Sequence, residues 1–562
     1  MKNHLLLLIT FSVLMLFYSD TYASHDITSV NSQQNSPALV IGFIVDQMRP
    51  DYIYKYWDHF EEGGFKRLVN EGHTFRNAYF RHLQTSTGPG HAAQLTGASP
   101  SVHGLIGNNW YVRELGRNIN VIEDVGSGYR GVGSLPDYNG EKSPGNMLTT
   151  TVGDELYMFT GERSRTIGIS RKDRGAILPA GHTGHAYWYE NATGNFITST
   201  YYMDELPGWM QEFNSRNLPQ EYLTRIWEPL LPIEQYVESR PDNNPYEGTF
   251  PGMDTPTFPV DLAYLVEEHN QRPGLLNRTP FGDELLFELA IAAIEGEGLG
   301  RGGVPDILTI GLSATDAIGH RFGPGSKQLQ DHMIRLDRYF AEFFDYLDRE
   351  FGMENVLIFL TADHGAVYIP EYMSDLGIPT GHSNFEVTVG GQIRQAVSDY
   401  MERVYGEDFL LSYSSKSLYF DHDIMDQNGL DHVAVQKDIA RFVLSLDAVG
   451  GSLTADALNN REFTEGIRSR AMHAYHQKRS GDVVLWLKPQ TLSGTGTSGT
   501  GHGSGWGYDT HIPLMFMGYD IWSGETYEKV YVSDIASTVA VFLHSSFPSG
   551  NIGNPLNEFL KQ

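Results

Sequence analysis

Short apolar runs that end in metal-ligand residues constrain this chain most. Val40-Ile41-Gly42-Phe43-Ile44-Val45 runs into Asp46, and Asp306-Ile307-Leu308-Thr309-Ile310-Gly311-Leu312 leads to Asp316 and His320. Val356-Leu357-Ile358-Phe359-Leu360 leads to Asp363-His364. Continuous β-branched apolar runs bounded by glycine and polar residues read as strands of a parallel sheet buried on both faces. In such a sheet the ligand crevice lies outside the carboxyl ends of the strands, so these distant Asp and His residues can converge there. That is the layout of a catalytic metal site. The fold expected is α/β, a mostly parallel central sheet flanked by helices on both faces.

A chain of 562 residues is too long for one ordinary core, so a large main domain with insertions is expected. Residues 1–23 read as a signal peptide: Lys2, an apolar run from Leu5 to Phe17, then Thr21-Tyr22-Ala23 with small residues where a signal peptidase reads. The run is too short to span a membrane comfortably, so the expectation is a periplasmic or secreted protein without stable membrane insertion. A polar tail at 24–37 follows, and a catalytic domain over 38–562. Within it, 183–275 is rich in Trp, Tyr, Pro and Asn with weak periodicity and reads as a cap insertion. Residues 380–480 read as a second insertion.

The chain has no cysteine, so an exported fold must stand on its core or on metals, and zinc must be held by nitrogen and oxygen ligands. A formal net charge of −29 argues against nucleic acid or an anionic membrane as partner. It also opposes anionic substrates at long range, so a phosphate ester would need metals and well-placed Lys or Arg.

Each motif is weak alone. Asp316-x-x-x-His320 on a helix would be an ordinary exposed pair four residues apart, but Gly319 and Gly323-Pro324-Gly325 argue for a loop. The glycine-rich stretch around His502 reads equally as a flexible linker. His182 and His185 tempt as a metal pair but lack a carboxylate nearby in sequence. His59, His73 and His332 fall in stretches read as helical and need no ligand role. Thr85-Ser86-Thr87-Gly88-Pro89-Gly90-His91 reads as a loop opening a helix, where backbone N–H groups and the dipole favour an anion. Any of its three hydroxyls could serve as a nucleophile.

Taken together, the motifs resemble the alkaline phosphatase superfamily, most closely its PafA-type branch with a threonine nucleophile. The matching segments are Asp46-Gln47-Met48-Arg49, Thr85 to His91, His103-Gly104-Leu105-Ile106-Gly107-Asn108-Asn109, Lys172-Asp173-Arg174, Asp316-Ala317-Ile318-Gly319-His320, Ala362-Asp363-His364-Gly365 and Gly501-His502-Gly503. The resemblance implies two zinc ions, one on Asp316, His320 and His502, the other on Asp46, Asp363, His364 and the nucleophile oxygen. Its register selects Thr87 as nucleophile and gives Asn108 a phosphoryl oxygen. It implies that Lys172 and Arg174 face the extra negative oxygen of a monoester, which makes small phosphate monoesters the expected substrates. A phosphodiesterase or nucleotide pyrophosphatase on the same scaffold is the alternative, and a monomer is expected. A sulfatase would need a formylglycine from Cys or Ser, which leaves only Ser86. A non-catalytic exported binding protein would be expected to have lost a ligand or the nucleophile, and all are present.

Overall fold

Seven consecutive residues of Leu39–Val45 (β1) are buried, as the sequence demands of a strand covered on both faces. The computed structural model describes residues 36–269, 273–380, 389–492 and 498–559. The stretch read as a signal peptide and nearly all of the tail lie outside the described residues. β1 runs parallel to two neighbours, pairing Leu39–Val45 with Asp306–Leu312 and Leu39–Ile44 with Val356–Thr361. Thr166–Ser170 and then His185–Tyr189 continue the parallel block. In chain order these strands are β2 (Thr166–Ser170), β3 (His185–Tyr189), β4 (Asp306–Leu312) and β5 (Val356–Thr361).

Among the described residues the full sheet has eleven strands, and these five, parallel to one another, form its centre. Antiparallel strands extend both flanks: Leu514–Gly518 beside β5, and Phe196–Ser199 beside β3. The main sheet therefore takes in the first strands of the aromatic-rich 183–275 stretch. Trp188, Trp227, Tyr222 and Tyr236 of that stretch are buried in the protein's own cores. Packing at the sheet centre is tight: a Cβ at Gly42 would lie 2.3 Å from the Phe359 ring. Phe43 meets Phe340 edge-on at 4.9 Å, which seats the amphipathic helix Lys327–Phe351 on one face of the sheet.

A separate antiparallel sheet is built from Leu410–Ser414, Ser417–Phe420, Val483–Leu487 and Val449–Thr454. It has its own apolar cluster, to which the helices Val389–Tyr405 and His432–Val443 contribute Val397, Met401, Ile439 and Val443. No helix among the described residues is long and apolar enough to cross a membrane.

Candidate metal centre

The carboxyl ends of β1, β4 and β5 deliver their acidic and imidazole groups to one place. Two groups of three ligands form there: Asp46, Asp363 and His364, and Asp316, His320 and His502. Within each group the ligand atoms lie within 4.8 Å of one another. The first group is fully buried, whereas the His320 side chain is 43% exposed. The two groups touch, because the His364 and His502 rings stack at 3.5 Å between centroids.

The three imidazoles share one device. Nδ1 of His320 lies 2.9 Å from the Thr500 carbonyl, that of His502 2.9 Å from the Thr85 carbonyl, and that of His364 3.0 Å from the Gly365 carbonyl. A carbonyl only accepts, so each Nδ1 carries the proton; the Nε2 atoms of His364 and His502 then keep their lone pairs for a metal, while that of His320 lies 3.0 Å from Asp316 Oδ1. Asp46 Oδ1 and His364 Nε2 are buried without a hydrogen-bond partner, and Asp46 Oδ2 meets only the Lys172 ammonium. Such orphans are costly unless something satisfies them. Nitrogen and oxygen donors in sets of three suit zinc and leave a coordination position open. The residues present therefore fit a pair of metal ions.

The electrostatics agree. Burial, reinforced by Asp316 and Asp363, pushes the Asp46 carboxyl up to about 6. Burial alone would raise Asp316, but His320 and Lys172 hold it well below the usual carboxylate range. Burial, followed by its imidazole neighbours, lowers His502 to about 3. Burial also lowers His364, to about 4, and so favours the neutral form that ligates. His320 differs: burial opposes its charge, yet Asp316 at 3.0 Å raises it to about 9.

The helix Thr87–Thr96 (α1) begins beside these groups. A Cβ at Gly90 would lie 2.2 Å from the Asp363 carbonyl oxygen, so glycine there lets α1 approach. The three candidate hydroxyls now separate in part. Thr85 Oγ1 is committed to the Ser504 carbonyl at 2.7 Å, while Ser86 Oγ is buried without a partner. Thr87 is the first residue of α1 and is buried. Asn108 Oδ1 accepts the Gly88 N–H at 2.7 Å, which turns the amide and leaves its NH₂ group as donor.

Lys172 follows β2 and caps the helix Asp173–Ala180 (α2). Its Nζ lies 2.5 Å from Asp46 Oδ2 and 2.6 Å from Asp316 Oδ2, so one ammonium touches both groups of ligands. Arg174, on the first turn of α2, keeps a buried Nε without a partner. Both side chains line a cavity of about 580 Å³ with Tyr138, Trp188 and Asn277.

Two further residues hold the site together. Gln47 adopts a left-handed φ of 64°, donates its backbone N–H to Asp363 Oδ1 at 3.1 Å, and donates Nε2 to Asp316 Oδ1 at 2.8 Å. His91 places Nδ1 3.0 Å from the Thr87 carbonyl and 3.4 Å from Asp363 Oδ2. Both stand inside motif segments, but an amide or imidazole there gives no signal of its own until the chain is folded.

Asp316 and His320 correct one expectation. They stand on a helix, Ala314–Phe322 (α3), and not in a loop. Gly319 is compatible with the helix and is there for space, since a Cβ would lie 2.1 Å from Gln47 Oε1. His73 likewise opens the strand His73–Tyr79 and is not helical. His182 stays outside the site, with Nε2 3.2 Å from the Thr149 carbonyl, and His185 opens β3.

Comparison with known proteins follows the same lines. Residues 40–520 match the family described as Type I phosphodiesterase / nucleotide pyrophosphatase. The chain is 39% identical to the alkaline phosphatase PafA of Elizabethkingia meningoseptica, over 93% of this chain and 94% of that protein. It is also 39% identical to the alkaline phosphatase PhoV of Synechococcus elongatus, over 93% of each. The crystal structure of wild-type PafA superposes with a TM-score of 0.88 at 38% identity, covering 94% of this chain and 99% of that one. A chain matched so widely, with its ligands gathered at the ends of parallel strands, belongs to the Type I phosphodiesterase / nucleotide pyrophosphatase family within the alkaline phosphatase superfamily.

Proposed function

We propose that this protein is an exported, zinc-dependent alkaline phosphatase that hydrolyses small phosphate monoesters to an alcohol and inorganic phosphate. The observation that carries the reading is Lys172, whose ammonium touches one carboxylate from each of two adjacent metal-ligand sets. Asp46, Asp363 and His364 would hold one zinc and Asp316, His320 and His502 the other, with Thr87 adding its oxygen to the first. Bound there, the ions would lower the pKa of the nucleophile and of water and stabilise the leaving oxygen.

The chain's own groups do the rest. Thr87 Oγ1 attacks phosphorus, the ester oxygen departs with its electron pair, and a phospho-threonine forms. Water then attacks that phosphorus, returning the threonine hydroxyl and releasing phosphate. The Asn108 NH₂ group donates to a phosphoryl oxygen because its carbonyl is occupied by Gly88. Lys172 and Arg174 bind the remaining charge, and that charge is greater in a monoester dianion than in a diester.

The family description favours a second reading, a phosphodiesterase or nucleotide pyrophosphatase. The two cations oppose it. The test is kcat/KM for p-nitrophenyl phosphate and for its methyl diester, with zinc-loaded protein and Thr87→Ala as control. Monoester preference lost in the variant supports the phosphatase reading; diester preference overturns it. N-terminal sequencing of the mature protein tests removal of residues 1–23.

A further inference from the structure

A second cavity opens beside the Asp316 set. Its volume is about 450 Å³, and Asp316, His320, Gly248, Ser498, Arg278 and Arg321 line it. Two of these are candidate metal ligands, so the cavity begins where that ligand set ends. Arg321 follows His320 on α3, and Arg278 ends the short helix Pro273–Arg278. The turn that carries His320 and Arg321 is fixed from outside. The Arg321 carbonyl accepts the Gly248 N–H at 2.8 Å, and the His320 carbonyl accepts the Thr500 N–H at 3.2 Å.

Neither guanidinium makes an ion pair among the described residues, and the charged neighbour that Arg321 feels is Arg278. Asp316, the acid on the cavity wall, is spent elsewhere. Its Oδ1 lies 2.8 Å from Gln47 Nε2 and 3.0 Å from His320 Nε2, and its Oδ2 lies 2.6 Å from the Lys172 ammonium. Arg321 Nη1 donates to the Thr249 carbonyl and the guanidinium lies 4.8 Å over the Phe250 ring, yet its Nε is buried without a partner. Burial, and then the like charge of Arg278, lower Arg321 to about 10, so it stays charged in neutral and mildly alkaline solution. Two like charges that meet without an acid between them are relieved by an anion from solution.

The reaction gives such an anion a place. In an in-line displacement the attacking and leaving oxygens lie on opposite sides of phosphorus. With Thr87 at the Asp46 set, the ester oxygen lies toward the Asp316 set, and the alcohol beyond it passes the partly exposed His320 into this cavity. Lys172 and Arg174 line a different cavity, so the phosphoryl group and a second charge have separate cations.

We propose that Arg278 and Arg321 form a second anion subsite on the leaving-group side, selecting phosphate monoesters whose alcohol carries a carboxylate or a further phosphate. The inference rests on the phosphomonoesterase reading.

A matched set of three-carbon phosphate esters tests it, ending in a hydroxyl, a carboxylate or a second phosphate. Wild-type protein should favour at least one anionic ester over the hydroxyl ester by about tenfold in kcat/KM, the scale of a hydrogen bond to a charged group. Arg278 is exposed, so Arg278→Gln should fold normally. It should lose about tenfold on the anionic esters, chiefly through KM, and clearly less on the hydroxyl ester. Arg321→Gln should show the same split, and Arg321→Lys should recover part of the preference. Calorimetric Kd values on metal-loaded Thr87→Ala protein should rank the esters in the same order. Equal turnover of all the esters by active wild-type protein, or equal losses on all of them in Arg278→Gln, would overturn the proposal. Wild-type protein inactive on every ester would instead remove the phosphatase reading, while tighter calorimetric binding of the anionic esters would still support the subsite.

Discussion

The imidazoles of His364 and His502 lie face to face, 12° from parallel, although one stands with Asp46 and Asp363 and the other with Asp316 and His320. Stacked ligand rings make the two sets one mechanical unit, because neither ring can tilt without meeting the other. His502→Ala should therefore weaken metal binding at both sets, and at its own by more than the roughly ten- to hundredfold typical of losing an outer-shell partner. Metal content after dialysis against graded zinc buffers checks this. Loss confined to one equivalent per chain would refute the coupling.

Removing the metals should cost stability as well as activity. A ligand that binds only the folded state at a hundredfold excess over its Kd contributes about 2.7 kcal/mol. Calorimetry before and after chelation should show a lower Tm that zinc restores. An unchanged Tm would show that the buried carboxylate of Asp46, whose Oδ1 has no hydrogen-bond partner, does not rely on metal.

Lys172→Ala should lower monoester kcat/KM by about ten- to hundredfold, the range for a contact to a charged group, and diester turnover by clearly less. Equal losses would mean that Lys172 serves only to bridge Asp46 and Asp316.

The nucleophile can be mapped by trapping the phospho-enzyme at low pH and sequencing the labelled peptide. Label is expected on Thr87. Thr85→Ala should retain the label, since Thr85 Oγ1 is spent on the Ser504 carbonyl; label on Ser86 would move the assignment by one residue.

Stability should also respond to pH at a group away from the chemistry. Burial raises Glu247 to about 8 despite Arg240 at 2.9 Å, and its Oε2 is buried without a partner. A carboxyl whose pKa is raised by folding is easier to keep neutral, so its contribution is complete below the unfolded value near 4.5 and is lost as pH climbs to about 8. Glu247→Gln should flatten the fall of Tm across that window. Parallel wild-type and variant Tm–pH curves would refute it.

Three of the candidate ligands, Asp46, Asp363 and His364, were legible because they directly follow buried strands. The buried runs before Asp46 and Asp363 mark themselves by hydrophobicity alone, and the sheet does the converging. Asp316 and His320 were misread as a loop because Gly319 breaks helix propensity, while the reason for glycine, the side chain of Gln47, comes from the turn after β1. The bridging role of Gln47 was invisible because its partners, Asp316 and Asp363, lie hundreds of positions away, and no local pattern encodes a contact of that range. The antiparallel flanks of the sheet were likewise unreadable, because pairing direction depends on connections that hydrophobicity does not record.

The spread of ligands along the chain sets an order of assembly. Once residue 364 has folded against β1, Asp46, Asp363 and His364 are all available, so one metal position can be completed from the first two-thirds of the polypeptide. The other waits for His502, which follows the whole second sheet. A nascent or truncated chain that stops between these points would carry one candidate ligand set and lack the other. Closure of the active site thus doubles as a report that nearly the entire protein has been made and folded.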